Sequence, residues 1–257
     1  MRTRILDQLK TIEQEKGIQI LFACESGSRG WEFPSPDSDY DVRFIYRRPY
    51  TQYLSISVYE EQLSFPIDSE LDLSGWDLRK TLQLIQKSNT TPFEWLQSPI
   101  VYRETPGFRD ELWLLCQHYF SRRSNVHHYL GIAKGALDTM ENGMIKIKKL
   151  FYVLRPLLAA LWNVEQNGIA PMSIQPLMNL MPDALQQKVT ALIALKSGTA
   201  EGYTIAPDES MMEWIGQTFE QCTRYAGTLP RDHFDAGRLD DFFRQNLTEN
   251  DNSRNKR

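Results

Sequence analysis

The sequence predicts an α+β protein: a small mixed β-sheet core in the first half, joined to a helical second half. Two observations carry this. Apolar runs of strand length alternate with Gly-, Ser- and Pro-rich punctuation as far as residue 73, and helical periodicity takes over from about residue 108. Ile5, Leu6, Leu9 and Ile12 recur at helical spacing over 3–15, and Gly17 stops that helix. Residues 18–24 read as a mostly buried strand, 25–38 as an exposed turn, and 40–46 as a strand of alternating character. Residues 52–66 read as a strand or hairpin, 70–73 as a short strand and 77–87 as a helix, with the helices expected on one side of the sheet. In the second half, 108–121, 124–141, 143–166, 173–179, 182–197 and 208–226 read as helices. The expected units are 1–107 and 108–247, followed by a disordered tail, 248–257, that has no apolar residue.

Composition excludes several classes. The 257 residues are 41% apolar and 24% charged, which is globular rather than disordered. No apolar run approaches eighteen residues, so neither a membrane span nor a secretory signal is expected. Cys24, Cys116 and Cys222 lie far apart without metal-type spacing, which favours buried thiols and a reducing cytoplasm. A formal net charge of −4 means that any polyanion needs a local basic patch.

The chemistry concentrates between residues 25 and 80. Gly27-Ser28-Arg29-Gly30 is followed, ten residues beyond Ser28, by Asp39-Tyr40-Asp41. On a strand, Asp39 and Asp41 project from one face, while Tyr40, Val42 and Phe44 project from the other. Paired carboxylates repel unless a cation sits between them, and hard oxygen ligands suit Mg²⁺ or Mn²⁺ with substrate phosphates completing the shell. A Gly-Ser bend lets backbone N–H groups and a hydroxyl approach a phosphate. A two-metal phosphoryl-transfer site calls for a third carboxylate. Asp72 is the candidate, Glu70 its rival on the same strand face, and Asp77 reads better as a helix cap. Along 143–166, Lys148, Tyr152 and Arg155 flank the apolar stripe, making Lys148 and Arg155 phosphate candidates. Arg29 reaches either a phosphate or Glu25 and Glu32, and Arg43 shares the carboxylate face as a neutralising partner. Trp76 and Trp95 read as packing rather than base-stacking residues.

The Gly-Ser/Asp-x-Asp set resembles the core signature of the polymerase-beta-like nucleotidyltransferase superfamily. Glu25-Ser-Gly-Ser-Arg-Gly-Trp31, Ser35-Pro-Asp-Ser-Asp-Tyr-Asp-Val-Arg-Phe-Ile-Tyr46, Gly75-Trp-Asp-Leu-Arg-Lys80, Lys87-Ser-Asn89, Glu94-Trp-Leu96 and Leu154-Arg-Pro156 narrow the likeness to the bacterial RlaP family, associated with RNA repair. The likeness covers residues 22 to about 172. It implies Mg²⁺-dependent transfer of a nucleoside monophosphate from a nucleoside triphosphate to an acceptor hydroxyl, with an RNA or DNA end as the leading acceptor. By the same resemblance Gly27 and Ser28 hold the triphosphate, Asp39, Asp41 and Asp72 bind metal, and Asp72 is the base.

Two other classes stay open at this stage. One is a non-catalytic nucleotide-binding or antitoxin-like partner. The other is a HEPN-type ribonuclease, because Arg122-x4-His127 and Arg123-x4-His128 resemble the short motif of that family.

Overall fold

The computed structural model describes residues 1–248 apart from 67 and 69. Helix α1 (Arg2–Lys16) ends at Gly17, whose φ of 59° closes the last turn, and leads into β1 (Gln19–Glu25). A single turn, α2 (Gly27–Gly30), and a loop lead to β2 (Tyr40–Arg47). The first half continues through α3 (Tyr50–Tyr53), β3 (Gln62–Pro66), β4 (Leu71–Asp77), α4 (Leu78–Gln86), α5 (Thr90–Leu96) and β5 (Val101–Glu104). Helices α6 (Phe108–His118) and α7 (Arg122–Leu137) follow, then β6 (Ile145–Lys146), α8 (Ile147–Gln166), α9 (Ile174–Met178) and α10 (Asp183–Ser197). Strand β7 (Thr204–Ile205), α11 (Glu209–Thr228) and α12 (Gly237–Thr248) complete the described chain. Residues 249–257, most of the expected tail, lie outside the described residues.

The α+β architecture is as expected. Five strands lie in the order β3-β4-β2-β1-β5, and β2 with β4 is the parallel pair that makes the sheet mixed. Alternation along β2 puts Val42, Phe44 and Tyr46 against Ile5, Leu9 and Ile12 of α1. Ile45 points the other way, into a core with Leu82 and Ile85 of α4, Trp95 of α5 and Leu112 of α6. Helices therefore cover both faces of the sheet, correcting the one-sided expectation. Strand β2 is apolar on both faces beyond Arg43, and each apolar face demands a cover.

Other differences have local causes. Within 52–66 only the last five residues form a strand; Leu54, Ile56 and Val58 alternate but are 67%, 103% and 99% exposed, with no partner strand beside them. Strand β4 runs on to Asp77 because Gly75 lets the Phe44 ring cross it: a β-carbon there would lie 2.0 Å from Phe44 Cε2. Helix α5, not foreseen, starts where the Asn89 side chain accepts from Thr91 N–H at 2.9 Å. Helix α8 begins at Ile147 rather than 143, because a turn through Gly143 (φ 76°) leads into β6, which pairs with β7.

Core membership runs across residue 107. Phe108, Leu112 and Cys116 of α6 and Leu239 and Phe242 of α12, also unforeseen, share one core with Leu21, Phe22 and Cys24 of β1. Conversely, Trp31 and Phe33 leave the sheet half and enter the helical core, where Phe33 stacks on Phe151 with centroids 4.7 Å apart. This exchange fixes the 27–38 loop against α8. All three cysteines are free and buried, and among the described residues no helix is long and apolar enough to cross a membrane.

Candidate active site

The parallel register sets Asp41 directly opposite Asp72, so two carboxylates from neighbouring strands share one sheet face. Arg43, two residues along β2 and on the same face, donates to Asp41 Oδ1 at 2.8 Å and pairs with Asp72 Oδ2 at 2.8 Å. It is the counter-cation of both. Asp39 is exposed and precedes β2, which starts at Tyr40. Burial raises the Asp41 pKa above the ordinary carboxylate value; the charges of Asp72 and Asp39 add to this, and Arg43 works against it.

The Gly-Ser bend closes on the same carboxylate. Gly27 has φ +57°, and a β-carbon on it would lie 2.1 Å from Asp41 Oδ2. Only glycine permits both that backbone and that approach. Ser26 N–H donates to the Asp41 carbonyl at 2.8 Å, and the buried Glu25 carboxylate accepts Asp41 N–H at 2.7 Å and the Tyr102 hydroxyl. Burial, foremost, raises the Glu25 pKa as well. Both ends of the Asp41 peptide are thus pinned to the bend.

Ser28 is buried and donates to Ser38 Oγ at 3.0 Å. Arg29 donates to the carbonyls of Asp39 (3.1 Å) and Ser38 (2.8 Å) and lies 3.9 Å over the Tyr40 ring, so it staples the loop that carries Asp39. Lys148 is half-exposed and pairs with Glu201. Burial opposes its charge, but the Glu201 hydrogen bond and charge outweigh that and raise its pKa. The charge of Lys148 works, more weakly than that of Arg43, against the raised Asp41 pKa.

Arg155 differs from the expectation. Its side chain is 1% exposed, pairs with Glu94 and donates to the carbonyls of Met172 (3.2 Å) and Pro171 (3.1 Å). It faces inward because α8 is buried on nearly every side, so the flank beside the stripe is itself core. Asp77 caps α4, accepting from Arg79 N–H at 2.8 Å, and Trp76 packs on Trp95 with centroids 4.3 Å apart. Arg122 donates to the Tyr225 hydroxyl and Arg123 to the Leu229 carbonyl, while His127 is exposed. Both guanidiniums of the ribonuclease-like motif are thus engaged with α11 and the residue that follows it.

The hold of Glu25 on the Asp41 backbone, the hub role of Ser38, and any part for Lys196 or Glu201 were not foreseen from the sequence. Lys196 carried a signal: it stands at helical spacing from Val189, Leu192 and Ile193, a charge on an apolar stripe. It is fully buried and donates to Ser35 Oγ at 2.9 Å. Glu201, 163 residues from Ser38, carried none.

Among the described residues no three His, Cys, Asp or Glu side chains form a ready metal cage. Asp41 and Asp72 nonetheless fit a hard divalent ion. The two carboxylates lie on one sheet face, share the single guanidinium of Arg43 and offer hard oxygen donors beside a glycine bend.

The chain matches, over residues 1–245, the model of the RNA repair pathway DNA polymerase beta family, RlaP, and belongs to that family. Membership supports a nucleotidyltransferase-like function. The chain is also 47% identical over 180 residues to the uncharacterized protein YcgL of Bacillus subtilis (strain 168), a stretch covering 70% of this chain and 69% of that protein.

Proposed function

We propose that the protein is a Mg²⁺-dependent nucleotidyltransferase that transfers a nucleoside monophosphate from a nucleoside triphosphate to an acceptor hydroxyl. The observation that carries this reading is the register of Asp41 with Asp72 beside the left-handed Gly27. It sets a carboxylate pair directly against the glycine bend. Family membership supports the same class of chemistry.

Asp39, Asp41 and Asp72 are the side chains that hold the divalent ion. When bound, the ion neutralises the polyphosphate and steadies the charge that builds on it during displacement. Gly27 and the Ser28 hydroxyl meet the triphosphate, and Lys148 supplies positive charge from the helical half. Arg29 acts through the loop, keeping Asp39 in place, and Glu25 acts through the Asp41 backbone. Asp72 is the group this reading assigns to take the acceptor's proton; its carboxylate is 42% exposed, against 30% for the Asp41 carboxylate. In-line attack on the α-phosphorus then expels pyrophosphate, with positioning and electrostatics supplying most of the rate.

A nucleic-acid end is the acceptor this reading favours, and the net charge of −4 calls for few phosphate contacts and hence weak binding with a shallow salt dependence. Incubation with α-labelled nucleoside triphosphates, Mg²⁺ and pools of RNA or DNA tests it. The expected result is label on one pool, lost in Asp39→Ala and Asp41→Ala. Metal-independent cleavage of RNA, lost in His127→Ala, contradicts it.

A further inference from the structure

The loop between α10 and β7 brings Glu201 across onto the Gly-Ser bend. Its backbone N–H donates to the two carboxylate oxygens of Asp37 at 3.0 and 3.2 Å. Its own carboxylate accepts the Ser38 hydroxyl at 2.6 Å through one oxygen and pairs with the Lys148 ammonium through the other. Ser38 Oγ in turn accepts from the Ser28 hydroxyl at 3.0 Å and from Ser35 N–H at 2.9 Å, and Lys196 donates to Ser35. One ammonium group, that of Lys148, and one hydroxyl, that of Ser38, thus converge on the Glu201 carboxylate, with Ser28, Ser35 and Lys196 behind Ser38 in the same network. Donors that converge in this way form an anion site, and a carboxylate presents two oxygens much as a phosphate does. The anion in place belongs to the protein.

We propose that Glu201 is a resident counter-anion, which a phosphate group of the incoming polyphosphate displaces from Lys148 and Ser38. This rests on the reading of the site as a nucleoside triphosphate site, and it adds a residue that sets affinity there. The exchange is physically open. The Glu201 and Lys148 side chains are 17% and 35% exposed, and residues 198–203 belong to no helix or strand, so the carboxylate leaves without unwinding an element. While in place it keeps Lys148 and the buried lysine and serines from facing one another uncompensated. A polyphosphate, with more charge and more acceptor oxygens, takes over the same donors.

Calorimetric titration of the full chain with inorganic tripolyphosphate, in buffer free of divalent ions, tests this. Glu201→Gln keeps the length and hydrogen-bonding capacity of the side chain and removes its charge. It is expected to bind tripolyphosphate roughly two- to fivefold tighter than the wild type, the scale of a half-exposed ion pair. Lys148→Met in the Glu201→Gln background is expected to erase the gain. If wild type binds and Glu201→Gln binds equally or more weakly, Glu201 is a structural latch and this inference alone falls. If neither protein binds tripolyphosphate in this buffer, nor a nucleoside triphosphate when Mg²⁺ is supplied, the triphosphate reading falls with it. Should Glu201→Gln fail to fold, Asp37→Ala, which frees the Glu201 backbone, is expected to tighten binding in the same direction, and unchanged or weaker binding overturns the proposal.

Discussion

Asp41 Oδ2 occupies the space that a β-carbon on Gly27 would need, 2.1 Å from where that carbon would sit. The bend and the carboxylate are therefore fitted to each other. Gly27→Ala must push Asp41 aside and also place alanine at φ +57°. We expect a loss of about 2–4 kcal/mol in stability, combining the left-handed backbone cost with the clash. Gly17→Ala is the control: its φ is +59°, but nothing lies within 4 Å, so about 1–2 kcal/mol is expected. Thermal melts of both variants isolate the contribution of Asp41.

Arg155 and Lys148 separate by experiment although they flank the same stripe of α8. Arg155→Met leaves Glu94 unpaired in the interior and is expected to cost about 3–5 kcal/mol. Lys148→Met removes a 35%-exposed partner of Glu201 and is expected to change stability by about 1 kcal/mol or less. The second substitution weakens triphosphate binding, whereas the first unfolds the junction. Denaturant titration alongside nucleotide binding distinguishes them.

Asp77 gives a pH signature away from the candidate site. Burial, against the Arg79 N–H and Tyr53 hydrogen bonds and the charge of Arg48, raises its pKa above the ordinary value. The folded state then holds the proton more tightly than the unfolded chain. Its contribution to stability is greatest below the unfolded pKa and declines as pH rises through the folded one. Asn retains the capping acceptor for Arg79 N–H without the charge. The stability of Asp77→Asn relative to wild type should therefore rise as pH increases from about 4, the ordinary aspartate region. Urea melts across that range check the sign.

Much of the candidate site was legible because it is local. Gly27, Ser28, Asp39 and Asp41 lie within fifteen residues, but Asp39 falls just before β2, so strand alternation fixes the face of Asp41 and not that of Asp39. Asp72 was legible as one of three carboxylates but not singled out, since only the β2–β4 register sets it opposite Asp41. Arg155 was misjudged because a flank position on α8 is solvent-facing only when one side of the helix is covered, and α8 is covered nearly all round. Glu201 was out of reach: a glutamate in a Gly- and Thr-containing turn has no periodicity to mark it, and its partners come from long-range packing. Helix α12 was missed because its apolar face, Leu239 and Phe242, is small and finds its core far back in the chain.

The carboxylates set side by side by β2 and β4, under the Gly27 bend, are expected to bind a divalent ion together with a polyphosphate. Titration of Mn²⁺ followed by electron paramagnetic resonance, with and without a nucleoside triphosphate, measures this directly. The wild type is expected to bind Mn²⁺, more tightly when the nucleotide is present, and Asp41→Asn and Asp72→Asn are each expected to abolish that binding while remaining folded. Undiminished Mn²⁺ binding in both variants, or none in the wild type with nucleotide present, would contradict it.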